Sequence, residues 1–317
     1  MSAATVLPPH KQSIGFNRIL IATDFSQTSR RAVPYALALA RQYKAEVHFA
    51  HALPTRLHEP IPLEPLPREL DRQRFEAERH MKHLLETLVL GNLRVHPRIE
   101  EGAISEVLSS VIREQDIDLL VFSTHGRGGL RKLVMGSVAE EMLRQMSCPV
   151  LTLGKKVALE AGIPSFERIL FATDFGPGAM SAVPVVLGLA EKYRSALTLL
   201  HMLQPKPIHE IRSAAHATPA NLANEFVTWE VNQKDETLRQ LKQLMPPETQ
   251  LAHNPNYVVA SAPAAEGILR AAAEQNVGLI VMGANHGASP RAAAHIPWAV
   301  VHQVICEARC PVLTVKG

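Results

Sequence analysis

A seven-residue segment occurs twice in this chain. Ile19-Leu20-Ile21-Ala22-Thr23-Asp24-Phe25 recurs as Ile169-Leu170-Phe171-Ala172-Thr173-Asp174-Phe175, an offset of 150 (169 minus 19). Tyr43 with Tyr193 and His51 with His201 keep that offset. Further on, Glu114-Gln115 matches Glu274-Gln275 at 160, and Cys148-Pro149-Val150-Leu151-Thr152 matches Cys310-Pro311-Val312-Leu313-Thr314 at 162. Self-similarity over so long a period makes each copy one folding unit. The length of 317 residues agrees, since single cores usually stop growing before roughly 300 residues. Gly162 and Pro164 break regular structure between the copies, which places the domains at residues 1–155 and 156–317.

Within each copy, short apolar runs alternate with longer segments of helical period, the pattern of an α/β fold with a parallel sheet. In the first copy the runs are Arg18 to Thr23, Glu46 to Ala50, Leu93 to Ile99, Leu119 to Ser123 and Val150 to Leu153. They are near-continuously apolar, as befits strands covered on both faces. Helices are expected over Ser26 to Tyr43, with Pro34 as a local distortion, and over Arg68 to Leu90, Ser105 to Gln115 and Ser137 to Met146. The fold class is therefore α/β, as two tandem open five-stranded parallel sheets with right-handed crossovers and helices on both faces. The proline-rich stretch Leu53 to Pro67 and its counterpart Leu203 to Pro219 are read as long loops, functional or simply mobile.

Composition narrows the function classes. Thirty-three Lys and Arg against 30 Asp and Glu give a net charge of +3, too mild to point to nucleic acid or an anionic membrane. No uninterrupted apolar run is long enough for a membrane span, and residues 1–13 carry no signal-peptide pattern, so a cytoplasmic protein is expected. The three cysteines, Cys148, Cys306 and Cys310, suggest no disulfide framework and read as buried small hydrophobes. Among fifteen histidines, neither His295 with His302 nor His125 belongs to a Cys and His set spaced like a four-ligand zinc site.

The chemistry-bearing segment follows the fourth strand. Ser123-Thr124-His125-Gly126-Arg127-Gly128-Gly129 leads to Gly136-Ser137 at a helix start. Glycines let the backbone approach a ligand, successive amides form an anion nest, and a helix N-terminus favours negative charge, so phosphate is the natural occupant. A Gly-rich turn is also a common way of leaving a strand, with no ligand at all. Asp24 stands at the end of the first strand, the edge where ligands bind in open α/β sheets. It is placed to meet a ribose hydroxyl or a metal ion, or only to cap the next helix together with Ser26.

The Thr23-Asp24-Phe25-Ser26 turn, the strand ending His51-Ala52, the loop from Gly126 to Ser137 and the closing Cys148-Pro149-Val150-Leu151-Thr152 together closely resemble the universal stress protein family, in tandem form, over nearly the whole chain. The resemblance implies a Rossmann-like, adenine nucleotide alpha hydrolase-like fold and two copies related by a pseudo-twofold axis. Their last strands would meet across that axis, as an intramolecular pseudo-dimer with scope for homo-oligomers. In ATP-binding members the loop reads Gly, two residues, Gly, nine residues, Gly and Ser or Thr. Gly126, Gly136 and Ser137 match, and Ser123 stands where the first glycine would be. What the resemblance implies for the first copy is ATP, with Mg2+ as a companion ion. The ligand would be held by Thr23, Asp24, Ser26, Ala52, Ser123, His125, Gly126, Arg127, Gly129, Gly136 and Ser137. Gly126, Gly136 and Ser137 would meet phosphates, and the Ala52 backbone would face adenine.

The second copy departs from that pattern. Three residues separate Gly283 from Gly287, and nine more lead to Pro297-Trp298 in place of Gly-Ser. Proline has no N–H for a phosphate, so this loop is read as degenerate, with Trp298 filling the vacated space or packing on the other half. No Gly-x-Ser-x-Gly elbow and no P-loop is present, and Ala22 to Ser26 lacks the Ser-Gly-Gly type loop of related ATP-cleaving enzymes. The functional expectation is an ATP-responsive stress module read by a protein partner. A slow Mg2+-dependent ATPase and a ligand-free scaffold are the alternatives.

Overall fold

The computed structural model describes residues 15–53, 66–124, 135–158, 164–203, 219–284 and 298–317, side chains excepted at 66–68 and 219–229. The first copy runs β1 (Arg18–Ala22), α1 (Gln27–Arg30), α2 (Val33–Tyr43), β2 (Glu46–Leu53), α3 (Leu66–Glu86), β3 (Val95–Glu101), α4 (Ile104–Glu114), β4 (Leu119–Ser123), α5 (Ser137–Gln145) and β5 (Val150–Leu153). The second runs β6 (Arg168–Ala172), α6 (Pro177–Tyr193), β7 (Ala196–Leu203), α7 (Pro219–Gln243), β8 (Asn256–Ser261), α8 (Ala264–Glu274), β9 (Leu279–Ala284), α9 (Trp298–Glu307) and β10 (Val312–Lys316). Two compact units result. One holds residues 15–165 with 305–316, and the other holds 166–304 with 317.

In the first unit the strand order is β3-β2-β1-β4-β5-β10. The five strands of the first copy are parallel, and β10 runs antiparallel to β5. In the second unit the order is β9-β6-β7-β8, all parallel. The central strands are short and apolar because both faces are covered: Ile19, Leu20, Ile21, Leu119, Leu120 and Val121 are fully buried, as are Leu170 and Phe171.

Pairing, more than local propensity, sets the strand ends. β2 continues past Ala50 to Leu53 because Ala52 and Leu53 find ladder partners in Glu100 and Glu101 of β3. That partner segment is charged and exposed, so it carries no apolar signal beyond Ile99. The expected helix over Ser26 to Tyr43 divides at Arg31 and Ala32 into α1 and α2. Pro34 falls in the first turn of α2, where a missing N–H costs nothing. Its counterpart Pro184 lies inside the unbroken α6.

The repeat is also a repeat of packing. Phe16 meets Tyr43 edge-on at 5.3 Å, and Phe166 meets Tyr193 at 5.1 Å. Such pairs add about 1 kcal/mol beyond area burial. Both first long helices end in the left-handed conformation, at Lys44 (φ 57°) and Arg194 (φ 53°), whose amides return to Ala40 and Ala190 carbonyls. The cysteines are all buried and unpaired in disulfides, and burial pushes the Cys148 thiol up to about 12.

The β5–β10 ladder is symmetric about Leu151 and Leu313. Thr152 Oγ1 donates to the Val312 carbonyl at 3.1 Å, and Thr314 Oγ1 to the Val150 carbonyl at 3.3 Å. Directly after β5, Gly154 faces the Ile305 carbonyl so closely that a Cβ would stand 2.3 Å from its oxygen. Backbone cannot yield as a side chain does. Gly154→Ala is expected to destabilise the protein by about 3 kcal/mol, read as a lower urea midpoint, while the same change at Gly91, uncrowded among the described residues but held at φ 58°, is expected to cost only about 1 kcal/mol of backbone strain.

Candidate functional site

Strand order reverses at β1. β2 and β3 lie to one side and β4 and β5 to the other, so the carboxyl ends of β1 and β4 border the crevice where connections diverge. Ile21 stands opposite Val121 there, and Ala22 opposite Ala50. The fold thereby gathers Thr23, Asp24 and Ser26 after β1, Ala52 near the end of β2, Ser123 at the end of β4, and Gly136 and Ser137 at the start of α5. Gly136 is tied to this edge by its N–H, which donates to the Thr124 carbonyl at 3.4 Å. His125, Gly126, Arg127 and Gly129 lie outside the described residues.

The turn after β1 is built by its own polar side chains. Thr23 Oγ1 accepts the Phe25 N–H at 3.0 Å, and Asp24 Oδ1 accepts the Ser26 N–H at 2.9 Å. Ser26 Oγ accepts the Ser29 N–H at 3.1 Å and so caps α1. Between them Phe25 is held at φ 64°, a conformation that costs a bulky residue about 1–2 kcal/mol. Its ring is buried and packs against His51 at 4.5 Å and His80 at 5.5 Å. His51 Nδ1 donates to the Thr23 carbonyl at 2.8 Å, which fixes its tautomer. Of the roles open to Asp24 and Ser26, capping and turn formation are the ones made by bonds within the chain.

At β4 the Ser123 hydroxyl donates to the Leu153 carbonyl at 3.2 Å. The start of α5 differs in kind from that of α1. Gly136 is its N-cap at φ −64°, ψ 147°, and no side chain caps the first turn. Any residue adopts those angles, and among the described residues a Cβ at 136 would meet only the Thr124 carbonyl oxygen at an ordinary 3.8 Å. The backbone conformation does not require glycine at this position.

The second copy repeats the turn almost atom for atom. Phe175 N–H donates to Thr173 Oγ1 at 3.0 Å, Gly176 N–H to Asp174 Oδ1 at 2.8 Å, and His201 Nδ1 to the Thr173 carbonyl at 2.8 Å. Phe175 has φ 58° and stacks on His201, whose imidazole burial holds below the usual histidine range. The copies part at the neighbouring strand. Gly283, the counterpart of Ser123, lies so close to α6 that a Cβ would stand 2.1 Å from the Ala179 N and 2.2 Å from the Gly178 carbonyl carbon. The first turn of α6 thus packs directly on the end of β9. Trp298 opens α9 half-buried, and Pro297 falls outside the described residues.

Two features escaped the reading of residue types. One is the aromatic support of the turn by Phe25 and His51, for which the repeated offset was the available signal. The other is a group away from the crevice: Glu46, His48 and His96 converge on the β2–β3 pair, with one ligand-type atom from each within 4.8 Å of the others. His48 is buried, and burial, followed by the charge of His96, holds its imidazole down at about 4. Only strand register brings His48 beside His96. Among the described residues, no helix is long and apolar enough to cross a membrane.

Parallel order, crossover helices and a crevice at the reversal of strand order define a doubly wound α/β protein, with that unit present twice. The chain belongs to the universal stress protein family, whose model matches residues 15–153 and again 165–316. It is 31% identical over 140 residues to a universal stress protein of Thermus aquaticus, covering 43% of this chain and 97% of that protein. A universal stress protein of Methanocaldococcus jannaschii is 27% identical over 143 residues, covering 44% of this chain and 83% of that protein. The crystal structure of a universal stress protein from Archaeoglobus fulgidus shares the fold at TM-score 0.66 and 18% identity, covering 96% of this chain and 97% of that one.

The contrast between Ser123 and Gly283 is directly testable. Gly283→Ser, which installs the first copy's residue, is expected to lower stability by about 3 kcal/mol in chemical denaturation, because its Cβ meets backbone. Ser123→Gly is expected to cost about 1 kcal/mol or less, from chain entropy and one hydroxyl bond.

Proposed function

We propose that the first copy binds ATP at the crevice between β1 and β4 and that the second copy does not. The observation that carries this reading is the difference at the two crevices. In the first, α5 begins at a glycine with, among the described residues, no capping side chain and no atom crowding its Cα. In the second, α6 closes on Gly283 at backbone contact distance. An uncapped helix start offers its first amides to an anion, and a missing Cβ leaves space for phosphate oxygens.

Gly136 and Ser137 would meet phosphates, with Gly126, Arg127, Gly129 and His125 of the preceding loop. Thr23, Asp24 and Ser26 would line the ribose side, and the Ala52 backbone would face adenine. Mg2+ would accompany the phosphates beside Asp24. Asp24 itself carries little weight in the assignment, because Asp174 makes the same bond in the second copy. Nucleotide occupancy of one crevice in two would then alter a surface read by a protein partner. The chain's own residues here orient and hold; no nucleophile or acid and base pair is assigned.

Titration calorimetry on the full chain tests this. Binding of about one ATP per chain is expected, and Gly136→Val is expected to abolish it while costing the fold about 1 kcal/mol or less. Absence of heat at millimolar ATP would leave the ligand-free scaffold as the reading. Rapid ATP turnover would move the protein to the ATPases.

A further inference from the structure

β2 and β3 run in parallel with His48 opposite His96. Glu46 precedes His48 by two residues, so strand alternation puts the three side chains on one face. Arg98, two residues beyond His96, marks this as the α4 side by reaching Glu114 at 3.8 Å. His48 is 3% exposed, and among the described residues neither of its ring nitrogens has a hydrogen-bond partner. Its ring stacks on His96 with centroids 4.8 Å apart. His96 Nε2 lies 3.6 Å from Glu46 Oε2, while Glu46 Oε1 is held by Arg94 at 2.7 Å.

Buried polar atoms are almost always satisfied, so two orphaned nitrogens on one buried ring call for an explanation. The second copy shows how the same fold position is normally settled. Ala196 pairs with Arg168 as Glu46 pairs with Arg18, which makes Ala196, Thr198 and Asn256 the counterparts of Glu46, His48 and His96. There the buried Thr198 hydroxyl donates to Gln275 Oε1 at 2.7 Å. The first copy has replaced a satisfied hydroxyl by an imidazole and put an imidazole and a carboxylate within reach of it.

We propose that Glu46, His48 and His96 form a site for one divalent transition-metal ion of the Zn2+ class, with solvent completing the coordination. Two imidazoles and a carboxylate are the donors of zinc sites and do not suit Mg2+ or Ca2+, which take oxygen. Tetrahedral zinc with bonds of about 2.0–2.1 Å sets its ligand atoms roughly 3.3 Å apart. The His96–Glu46 separation is close to that already, and drawing the group together from within 4.8 Å falls to these two side chains, which are 47% and 30% exposed. His48, locked in the core, is the fixed point. The neighbouring cations are matched by anions: Arg94 by Glu46, Arg98 by Glu100 and Glu114, and Arg18 by Asp116.

The test uses the full chain, stripped with chelator and free of nucleotide, titrated with Zn2+ alone by calorimetry. Binding of about one Zn2+ per chain is expected, together with a rise in melting temperature and, with Co2+ as probe, visible absorption bands. Glu46→Ala, His48→Thr and His96→Asn install the second copy's residues. Each is expected to weaken binding by at least about tenfold, and the triple variant to lose it. His96→Asn alters an exposed edge-strand residue, so it keeps the test decisive if a buried substitution disturbs folding. Gly136→Val is expected to leave Zn2+ affinity unchanged, which separates this site from the nucleotide crevice. No binding at about 100 µM Zn2+, or unchanged stoichiometry and affinity in His96→Asn, overturns the proposal.

Discussion

Two side-chain bonds, from Phe25 N–H to Thr23 Oγ1 and from Ser26 N–H to Asp24 Oδ1, decide how the chain leaves its first strand. They hold a phenylalanine in the left-handed region, against its own preference, and turn the backbone from β1 into α1 within four residues. The ring so displaced becomes the support on which His51 packs, and His51 in turn returns a bond to the Thr23 carbonyl. Strand end, helix start and the end of β2 are thereby fixed to one another. The same closed circuit at Thr173, Phe175 and His201 shows that it belongs to the fold and precedes any ligand.

With the turn held constant, the copies diverge through the residue on the adjacent strand. In the first copy the Ser123 hydroxyl is bonded to the Leu153 carbonyl, and the helix that follows β1 is broken into α1 and α2. With hydrogen at Gly283, the backbone of Gly178 and Ala179 settles against β9 and α6 runs unbroken. A side chain at position 283 would meet the backbone of α6, so the two copies differ sterically at this strand end as well as in loop sequence.

Much of this was legible in the residues. The repeat gave the two copies, and the apolar runs gave β1, β4 and β5 nearly to the residue, because buried parallel strands leave a continuous hydrophobic trace. β3 was less legible, since an edge strand with Pro97, Arg98 and Glu100 owes its existence to its neighbour's hydrogen bonds. The places of Asp24 and Ser26 just after β1 and of Gly136 at the start of α5 follow from motif and position. The reason Ser123 and Gly283 differ in consequence does not, because it lies in how near a helix approaches. The Glu46, His48 and His96 group was hidden for a related cause: register, unlike spacing, cannot be counted along one strand.

The symmetric ladder between β5 and β10 bears on how the protein is made. Val150 to Leu153 leave the ribosome with one flank of β5 unpaired, and the partner that covers that flank is encoded about 160 residues later. Throughout synthesis of the second copy, the finished part of the first presents a short apolar strand edge, the kind of surface on which nascent chains stick to one another. The chain's biogenesis is therefore exposed to aggregation for as long as translation of its second half takes, a hazard that holdase chaperones are suited to relieve.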